Sequence, residues 1–174
     1  SGPSRVLVTH VDGLGQGVWT TVYPLPQTNG RAATTRLTAL PDGGVVVAGW
    51  EQTGLDLSRL FVLRLSAQGG VVWLRTEDPG YTAVPQLLWA NPDGSLELVA
   101  DVFQRQGGEK VRLYRFGFDG ETQRNTVFPT PDTDYRFGGR DAAGLLYNFS
   151  LQGGGESWQL NLRRWDPAGQ VPQR

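Results

Sequence analysis

The chain has 174 residues, a length typical of a single domain, and a formal net charge of −1 at pH 7. It has no cysteine and one histidine, His10, which excludes disulfides, thiolate zinc sites and cysteine nucleophiles and leaves little material for a metal cluster or a Ser-His pair. Because the charge is near zero and no apolar run approaches the roughly 18 residues that span a bilayer, we expect no nucleic-acid partner and no transmembrane segment.

The first four residues, Ser1–Ser4, are typical of an expression-tag remnant, so we expect residues 5–174 to form one repeat domain. The absence of methionine and cysteine would also follow from removal of a signal peptide or lipoprotein leader. The 24 glycines predict many tight turns rather than long helices.

Alternating apolar and polar residues, rich in β-branched and aromatic side chains, predict strands along the whole chain. In chain order they are Arg5–Val11, Val18–Tyr23, Thr35–Ala39, Val45–Trp50, Arg59–Leu65, Val71–Arg75, Gln86–Ala90, Leu96–Val102, Val111–Phe116, Thr122–Phe128, Tyr135–Gly138, Leu145–Phe149 and Trp158–Trp165. Glycine or proline interrupts nearly every window that is long enough for a helix, so we expect an all-β fold with little or no helix.

Two series of turn signals repeat along the chain in one register. Equivalent turns of the first series lie 51 and 49 residues apart, at Pro41, Pro92 and Asp141. The second series has the same two spacings and ends on Gly69, Gly120 and Gly169. The register predicts three units of about 50 residues, 17–69, 70–120 and 121–170, with a partial unit before them. Because each unit contains four strands, we expect three propeller-like, four-stranded antiparallel repeats plus a partial N-terminal strand. The alternative is a three-unit prism or a bent β-sandwich or barrel.

Two segments of the first unit carry a resemblance to a known family. Gly43–Gly49 and Leu60–Trp73, with the sequences GGVVVAG and LFVLRLSAQGGVVW, resemble the bacterial β-propeller repeat with the consensus DGGxxVAG…DxxLxKLDxxGxxxW. The second unit is similar to it through Pro92–Gly94 and Tyr114–Gly120. The resemblance implies an exported or envelope-associated protein with closed rings of blades and a role in binding or assembly.

The third unit departs from this pattern at two places. Ala142–Gly144 stands where the consensus has DGG, and Arg124 replaces the tryptophan expected after the second unit's glycine turn. The resemblance therefore identifies an architecture and no active site.

The last strand of each unit places two apolar residues and one basic residue on one face. The basic residues of this column are His10, Arg64, Arg115 and Arg164. They could form a ring of cations that lines a channel or an anion site. Alternatively, each could cover apolar surface at a strand end and pair with an acid or a carbonyl, the structural role that repetition at equivalent sites favours.

Aromatic side chains are the main candidates for ligand binding. Those at strand ends or between polar neighbours are Trp50, Trp89, Tyr147, Trp158 and Trp165. Exposed rings stack on sugars and anchor protein interfaces, whereas rings that fill gaps between blades would be buried. We expect the loops 51–58, 77–83, 104–109 and 153–157 to lie on the rims of the repeats, where loops carry function.

Carboxylates are the only candidates for catalysis. Asp132 and Asp134 have the spacing of part of a calcium loop, but the glycine and glutamate of such a loop do not follow, which favours a turn. Glu97 is predicted to point outward from its strand, with Asp101 on the same face. No nucleophile elbow or phosphate-binding loop is present, so we expect no catalytic residues, no metal and no cofactor.

These observations favour a non-catalytic binding or scaffold module, exported to the periplasm, cell envelope or extracellular space, that binds protein partners through rim loops. A carbohydrate-binding module that uses surface aromatics is the alternative, followed by a glycoside-active enzyme with a carboxylate pair. Three units are few for a closed ring, so we expect a homodimer that completes one, a compact three-unit assembly, or a chain that is part of a longer protein.

Overall fold

The computed structural model describes residues 4–25, 31–104, 108–128, 135–141, 145–154 and 157–166. Within these residues the fold is all-β, and each predicted strand is confirmed. The strands are β1 (Arg5–Val11), β2 (Gly17–Pro24), β3 (Ala32–Ala39), β4 (Val45–Gly54), β5 (Leu57–Leu65), β6 (Val71–Glu77), β7 (Thr82–Ala90), β8 (Leu96–Gln104), β9 (Gly108–Phe116), β10 (Thr122–Phe128), β11 (Tyr135–Arg140), β12 (Leu146–Gly154) and β13 (Ser157–Trp165). The calcium-loop candidates Asp132 and Asp134 lie outside the described residues.

The strands form four antiparallel sheets that follow one another along the chain. Sheet 1 contains β1 and β2, sheet 2 contains β3 to β6, sheet 3 contains β7 to β10, and sheet 4 contains β11 to β13. Within each sheet, strands that are neighbours in sequence are also neighbours in space. The sheets are offset by one strand from the sequence units, because β2, β6 and β10 each open a unit but form the last strand of a sheet.

A single type of turn joins most of the hairpins at one edge of the sheets, which we call the turn rim. In the β3–β4 turn, the N–H of Gly43 donates to the carbonyl of Leu40 at 3.0 Å, and the N–H of Leu40 donates to the carbonyl of Gly44 at 2.8 Å. The same pattern recurs at four other turns, and the equivalent glycines all have φ between 79° and 84°: Gly15, Gly43, Gly69, Gly94 and Gly120. A left-handed glycine at this position closes a type I turn into a hairpin, which explains the repeated glycines.

Three hydrophobic cores lie between successive sheets. Val6 and Val8 of sheet 1 pack against one face of sheet 2, and Leu60 and Val62 on the opposite face of sheet 2 pack against sheet 3. The third core joins residues of sheet 3 to Leu146 and Trp165 of sheet 4. Sheets 2 and 3 are therefore covered on both faces, so their central strands bury consecutive residues rather than alternate ones.

A tryptophan on the last strand of one sheet anchors the turn of the next sheet. The indole N–H of Trp19 donates to the carbonyl of Ala67 at 2.9 Å, and its ring lies over Gly69. One sheet further on, Trp73 donates to the carbonyl of Phe118 at 3.0 Å and covers Gly120. We call this pair of contacts the tryptophan clasp; it joins sheet 1 to sheet 2 and sheet 2 to sheet 3 in the same way.

The clasp predicts that glycine turns with the same φ differ in their tolerance of a methyl group. A Cβ at Gly69 would meet the Trp19 ring at 2.7 Å, whereas a Cβ at Gly15 would meet nothing within 4 Å. We expect Gly15→Ala to lower the free energy of unfolding by about 1 kcal/mol through backbone strain alone. Gly69→Ala should lower it by about 3 kcal/mol, because the overpacking of the clasp adds to the same strain. Urea denaturation of the two variants measures the difference, and equal losses would contradict the clasp.

Candidate functional site

The edge of the sheets opposite the turn rim, which we call the loop rim, is built by a hairpin and a linking segment that lie side by side. The β4–β5 hairpin turns at Leu55 and Asp56, where Asp56 adopts a left-handed φ of 58°. Residues 78–81 link β6 of sheet 2 to β7 of sheet 3. The predicted loop at 51–58 is mostly strand, because β4 and β5 continue almost to the tip of the hairpin.

Hydrogen bonds hold the hairpin against the start of β7. Ser58 is buried, and its hydroxyl donates to the carbonyl of Ala83 at 3.1 Å and accepts from the N–H of Ala83 at 2.8 Å. At the tip, the Thr82 hydroxyl donates to the carbonyl of Asp56 at 2.8 Å. These bonds fix the position of the hairpin relative to sheet 3 before any ligand is present.

An open apolar groove of about 520 Å³ lies between these segments, and we call it the rim groove. It is lined by Leu55, Asp56, Leu57, Gly80, Tyr81, Thr82 and Phe103. Four large apolar side chains in it face solvent: Leu55 is 84% exposed, Leu57 43%, Tyr81 38% and Phe103 41%. Singly exposed apolar residues are ordinary, whereas a contiguous exposed set marks a surface for interaction.

One acidic residue lines the groove, and a second lies close to it along the chain. Asp56 is part of the lining, and the carboxylate of Asp78 accepts the N–H of Gly80 at 2.8 Å, which shapes the linking segment. No lysine or arginine is among the described residues that line the groove. The combination of apolar side chains and acidic neighbours defines which ligands the groove suits.

The aromatic residues predicted to bind ligands do not form one site. Of the two roles that the sequence left open for Trp165, the structure shows the buried one: it is only 2% exposed and packs edge-on against Phe128, with ring centroids 5.8 Å apart. Trp165 lies on the face of sheet 4 that packs against sheet 3. Trp50 is partly buried in β4, and the side chain of Trp158 lies outside the described residues.

Trp89 lies at a cleft of about 460 Å³ between sheets 3 and 4, and Tyr147 is linked to this cleft through Asp141. Trp89 and Asp141 line this cleft, and the Tyr147 hydroxyl donates to Asp141 at 3.1 Å. The indole N–H of Trp89 donates to Glu97 at 2.8 Å, and the guanidinium of Arg140 lies over the Trp89 ring, 5.2 Å from its centroid. The Trp89 ring is therefore engaged within the protein rather than presented as a flat platform.

Glu97 does not point outward as predicted, because it is only 3% exposed. Its carboxylate contacts Arg140 at 3.0 Å and Arg115 at 3.7 Å, in addition to Trp89. Asp101, on the same face, is fully buried as well. The prediction was wrong because β8 lies in a sheet that is covered on both faces, so alternation along the strand does not separate buried residues from exposed ones.

Two members of the basic column bind the turn of their own sheet. Arg64 is 4% exposed, and it donates to the Asp42 carboxylate at 2.7 Å; Arg115 donates to Asp93 at 2.8 Å in the same way. Arg64 also lies 3.8 Å from the Phe118 ring centroid and donates to the Phe118 carbonyl at 2.7 Å, which links sheet 2 to sheet 3.

The two outer members of the column have different surroundings. His10 is exposed and meets the Trp19 ring edge-on at 5.5 Å, and Arg164 is exposed on sheet 4. The turn aspartate that Arg64 and Arg115 bind has no counterpart in the third unit, where the sequence has two alanines at this place in the turn. Arg64 and Arg115 thus make the local contacts at strand ends that a structural role requires.

The residues of the rim groove were not singled out from the sequence, although three of the predicted rim loops contain or adjoin them. The signal was present in Leu55, an apolar residue at the tip of a hairpin in the sequence TGLDL, where polar residues are usual. Tyr81 and Phe103 carried no such signal, because they end up beside Leu55 only through the packing of sheet 2 on sheet 3.

Comparison with known proteins found no family model that matches this chain and no curated protein with a matching sequence. The described residues include no helix that is long and apolar enough to cross a membrane. They also bring together no group of three His, Cys, Asp or Glu side chains that could hold a metal ion.

Because Glu97 is buried, we expect that removing its charge alone lowers the stability of the protein strongly. Glu97→Leu places an apolar side chain at the position where sheet 2 has Val46, but it removes the acceptor of the Trp89 N–H and takes the Glu97 carboxylate from Arg140, which keeps its hydrogen bond to Asn91. We expect Glu97→Leu to lower the free energy of unfolding by about 3 kcal/mol, and the double variant Glu97→Leu/Arg140→Leu to regain part of this loss. Thermal or urea unfolding measures both variants.

The exposed pair of Arg75 and Glu121 provides a control for that experiment, since its side chains are 38% and 72% exposed. Glu121→Ala should cost less than about 1 kcal/mol. A similar loss in Glu121→Ala and Glu97→Leu would contradict the special role of the buried carboxylate.

The turn aspartates predict how stability depends on acid. The N–H of Gly44, followed by Arg64, lowers the pKa of Asp42 below 3.8, and hydrogen bonds from Ser95, followed by Arg115, lower the pKa of Asp93 in the same direction. Because both pKa values are lower in the folded state, their stabilisation is present above the unfolded value of 3.8 and is lost as the pH falls through the folded values.

We therefore expect the double variant Asp42→Asn/Asp93→Asn to lose less stability than the unmodified protein between about pH 4 and pH 2. Urea midpoints measured across this range would show a flatter acid limb for the variant. Parallel curves would show that the two ionised carboxylates do not contribute through their charge.

Proposed function

We propose that this protein is a non-catalytic binding module that takes protein segments into the rim groove. The observation that carries the proposal is the set of four adjacent, solvent-facing apolar side chains on the loop rim. Leu55 is 84% exposed at the hairpin tip, so its apolar side chain is not removed from water and does not stabilise the fold. A contact with a partner would supply that burial.

The geometry of the groove supports a protein ligand rather than a small molecule. Small-molecule sites enclose most of their ligand, whereas the rim groove is an open depression between a hairpin tip and a linking segment. Its walls are held by the Ser58–Ala83 and Thr82–Asp56 hydrogen bonds, so little conformational entropy is lost on binding. An aromatic and aliphatic floor with a polar edge is the usual composition of the centre of a protein interface.

The chemistry of the groove also defines the segment that it would bind. An aliphatic or aromatic side chain would fill the space between Leu55, Tyr81 and Phe103. Lysine or arginine beside that residue would meet the acidic surroundings of Asp56 and Asp78. The proposed ligand is therefore a peptide segment with one large apolar residue flanked by basic residues.

The setting of this function is part of the proposal. The repeat resemblance at Gly43–Gly49 and Leu60–Trp73 supports an exported bacterial scaffold, in the periplasm, in the cell envelope or outside the cell. The ring contacts of Trp89 and Trp165 inside the protein argue against sugar stacking on those two residues.

A peptide library displayed on phage tests the proposal even while the natural partner is unidentified. Selection on the immobilised protein should enrich peptides with one large apolar residue and neighbouring lysine or arginine. Fluorescence anisotropy of a selected synthetic peptide should then show at least about ten-fold weaker binding to Leu55→Asp, because the new charge lies in the apolar contact.

Leu14→Asp is the matched control for this variant. Leu14 is 87% exposed, as Leu55 is 84% exposed, but it lies in the β1–β2 turn at the turn rim. Both variants should unfold at the same urea midpoint as the unmodified protein. Equal binding of the selected peptides to Leu55→Asp and Leu14→Asp would overturn the assignment of the groove.

A further inference from the structure

The three joints between successive sheets are built in the same direction. A joint here means the apolar packing between two successive sheets. In each joint, two apolar residues of one strand point toward the following sheet. This strand is β1 in sheet 1, β5 in sheet 2 and β9 in sheet 3. The pairs are Val6 and Val8, Leu60 and Val62, and Val111 and Leu113. All six residues are at most 7% exposed, so each joint is closed by its neighbour.

The corresponding pair in sheet 4 lies on β13, and the member of it whose side chain the structure describes is exposed to solvent. Leu162 aligns with Val62 and Leu113 in the repeat, yet it is 66% exposed. Arg164, the counterpart of Arg64, is exposed beside it. We call this side of sheet 4 the trailing face.

Sheet 1 is open on its opposite side, which we call the leading face. The exposed apolar side chains there are Leu7 at 65%, Val11 at 51%, Val18 at 55% and Val22 at 52%. In sheets 2 and 3 the corresponding side packs against the preceding sheet; Phe61, the counterpart of Leu7, is fully buried against sheet 1. The two ends of the stack thus expose the two halves of a joint that the molecule closes three times internally.

We propose that the trailing face of one copy of this chain binds the leading face of a second copy, in a head-to-tail joint that repeats the internal ones. Arg164 would then occupy the place of Arg64, which donates to the carbonyl of Phe118 in the next sheet. The residue of sheet 1 that corresponds to Phe118 is Gly13, two positions before the turn glycine Gly15. The carbonyl of Gly13 in the second copy is the predicted acceptor for Arg164.

Two copies joined in this way close into a ring with two identical joints. Each copy contributes four sheets, so a ring of two contains about eight, which is within the range of closed propeller-like rings. A head-to-tail contact that closes gives a finite assembly, and one that does not close gives filaments. Closure also covers the exposed apolar side chains described on sheet 1 and sheet 4 together.

Two variants, each with a charge introduced on one of the two faces, distinguish this head-to-tail dimer from other dimers. Leu162→Glu damages only the trailing face and Val22→Glu only the leading face, and both residues are exposed in the isolated chain, so neither change disturbs a core. By light scattering after size exclusion, the unmodified protein should have twice the 19.0 kDa mass of one chain. Each variant alone should be a monomer, with its dimerisation weakened at least about 100-fold.

An equimolar mixture of the two variants should dimerise again, because it combines one intact trailing face with one intact leading face. This dimer has a single joint, so it should need at least about ten-fold higher protein concentration than the unmodified ring. Leu55→Asp, on the loop rim, should remain a full dimer, which keeps this test separate from the test of peptide binding.

Three results would overturn the proposal. The first is an unmodified protein that stays monomeric up to about 500 µM, as expected if further sheets of a longer chain cover these faces. The second is a Val22→Glu variant that still dimerises, which would mean that two trailing faces pair with each other. The third is a mixture of the variants that stays monomeric while the unmodified protein is a dimer.

Discussion

The tryptophan clasp sets the spacing of the sheets, and the rest of the structure depends on that spacing. Trp19 and Trp73 each cover a turn glycine and donate to a turn carbonyl of the following sheet. A side chain at the glycine would occupy the space of the indole, so the turn and the tryptophan constrain each other. With the sheets held at this distance, the hairpin of sheet 2 lies against the first strand of sheet 3, and the rim groove forms between them.

At the joint between sheets 3 and 4, charged groups hold the sheets together at a cost that apolar residues would not carry. Glu97 occupies a position where sheet 2 has Val46 and sheet 4 has Tyr147, and its ionised form requires Arg140 and Trp89 around it. A buried ion pair seldom exceeds the stability of a well-packed apolar core, but it tolerates only one arrangement of its partners. At the joint between sheets 3 and 4 it therefore specifies register more than it adds stability.

The strand pattern and the repeat could be predicted from the sequence because both follow from local rules. Glycine at the fourth position of each turn and β-branched residues between turns indicated every strand, and Arg5–Val11 and Thr122–Phe128 were predicted to the residue. The burial of Glu97 could not be predicted in this way, since alternation assigns one face to solvent and sheet 3 is covered on both faces. Tyr81 and Phe103 come together in the rim groove through packing between sheets. No pattern in the sequence near either residue indicates that contact.

The two rims of the sheets divide structural and functional roles between them. The turn rim repeats one hydrogen-bonding scheme at five glycine turns, and its aspartates and arginines bind one another, so its groups are used within the protein. Among the described residues, the loop rim contains the hairpin at Leu55 and the link at Tyr81, which use no glycine turn of this type. Unlike the groups of the turn rim, the apolar side chains exposed on the loop rim make no contact that holds the sheets together. A binding role for the rim groove accounts for them.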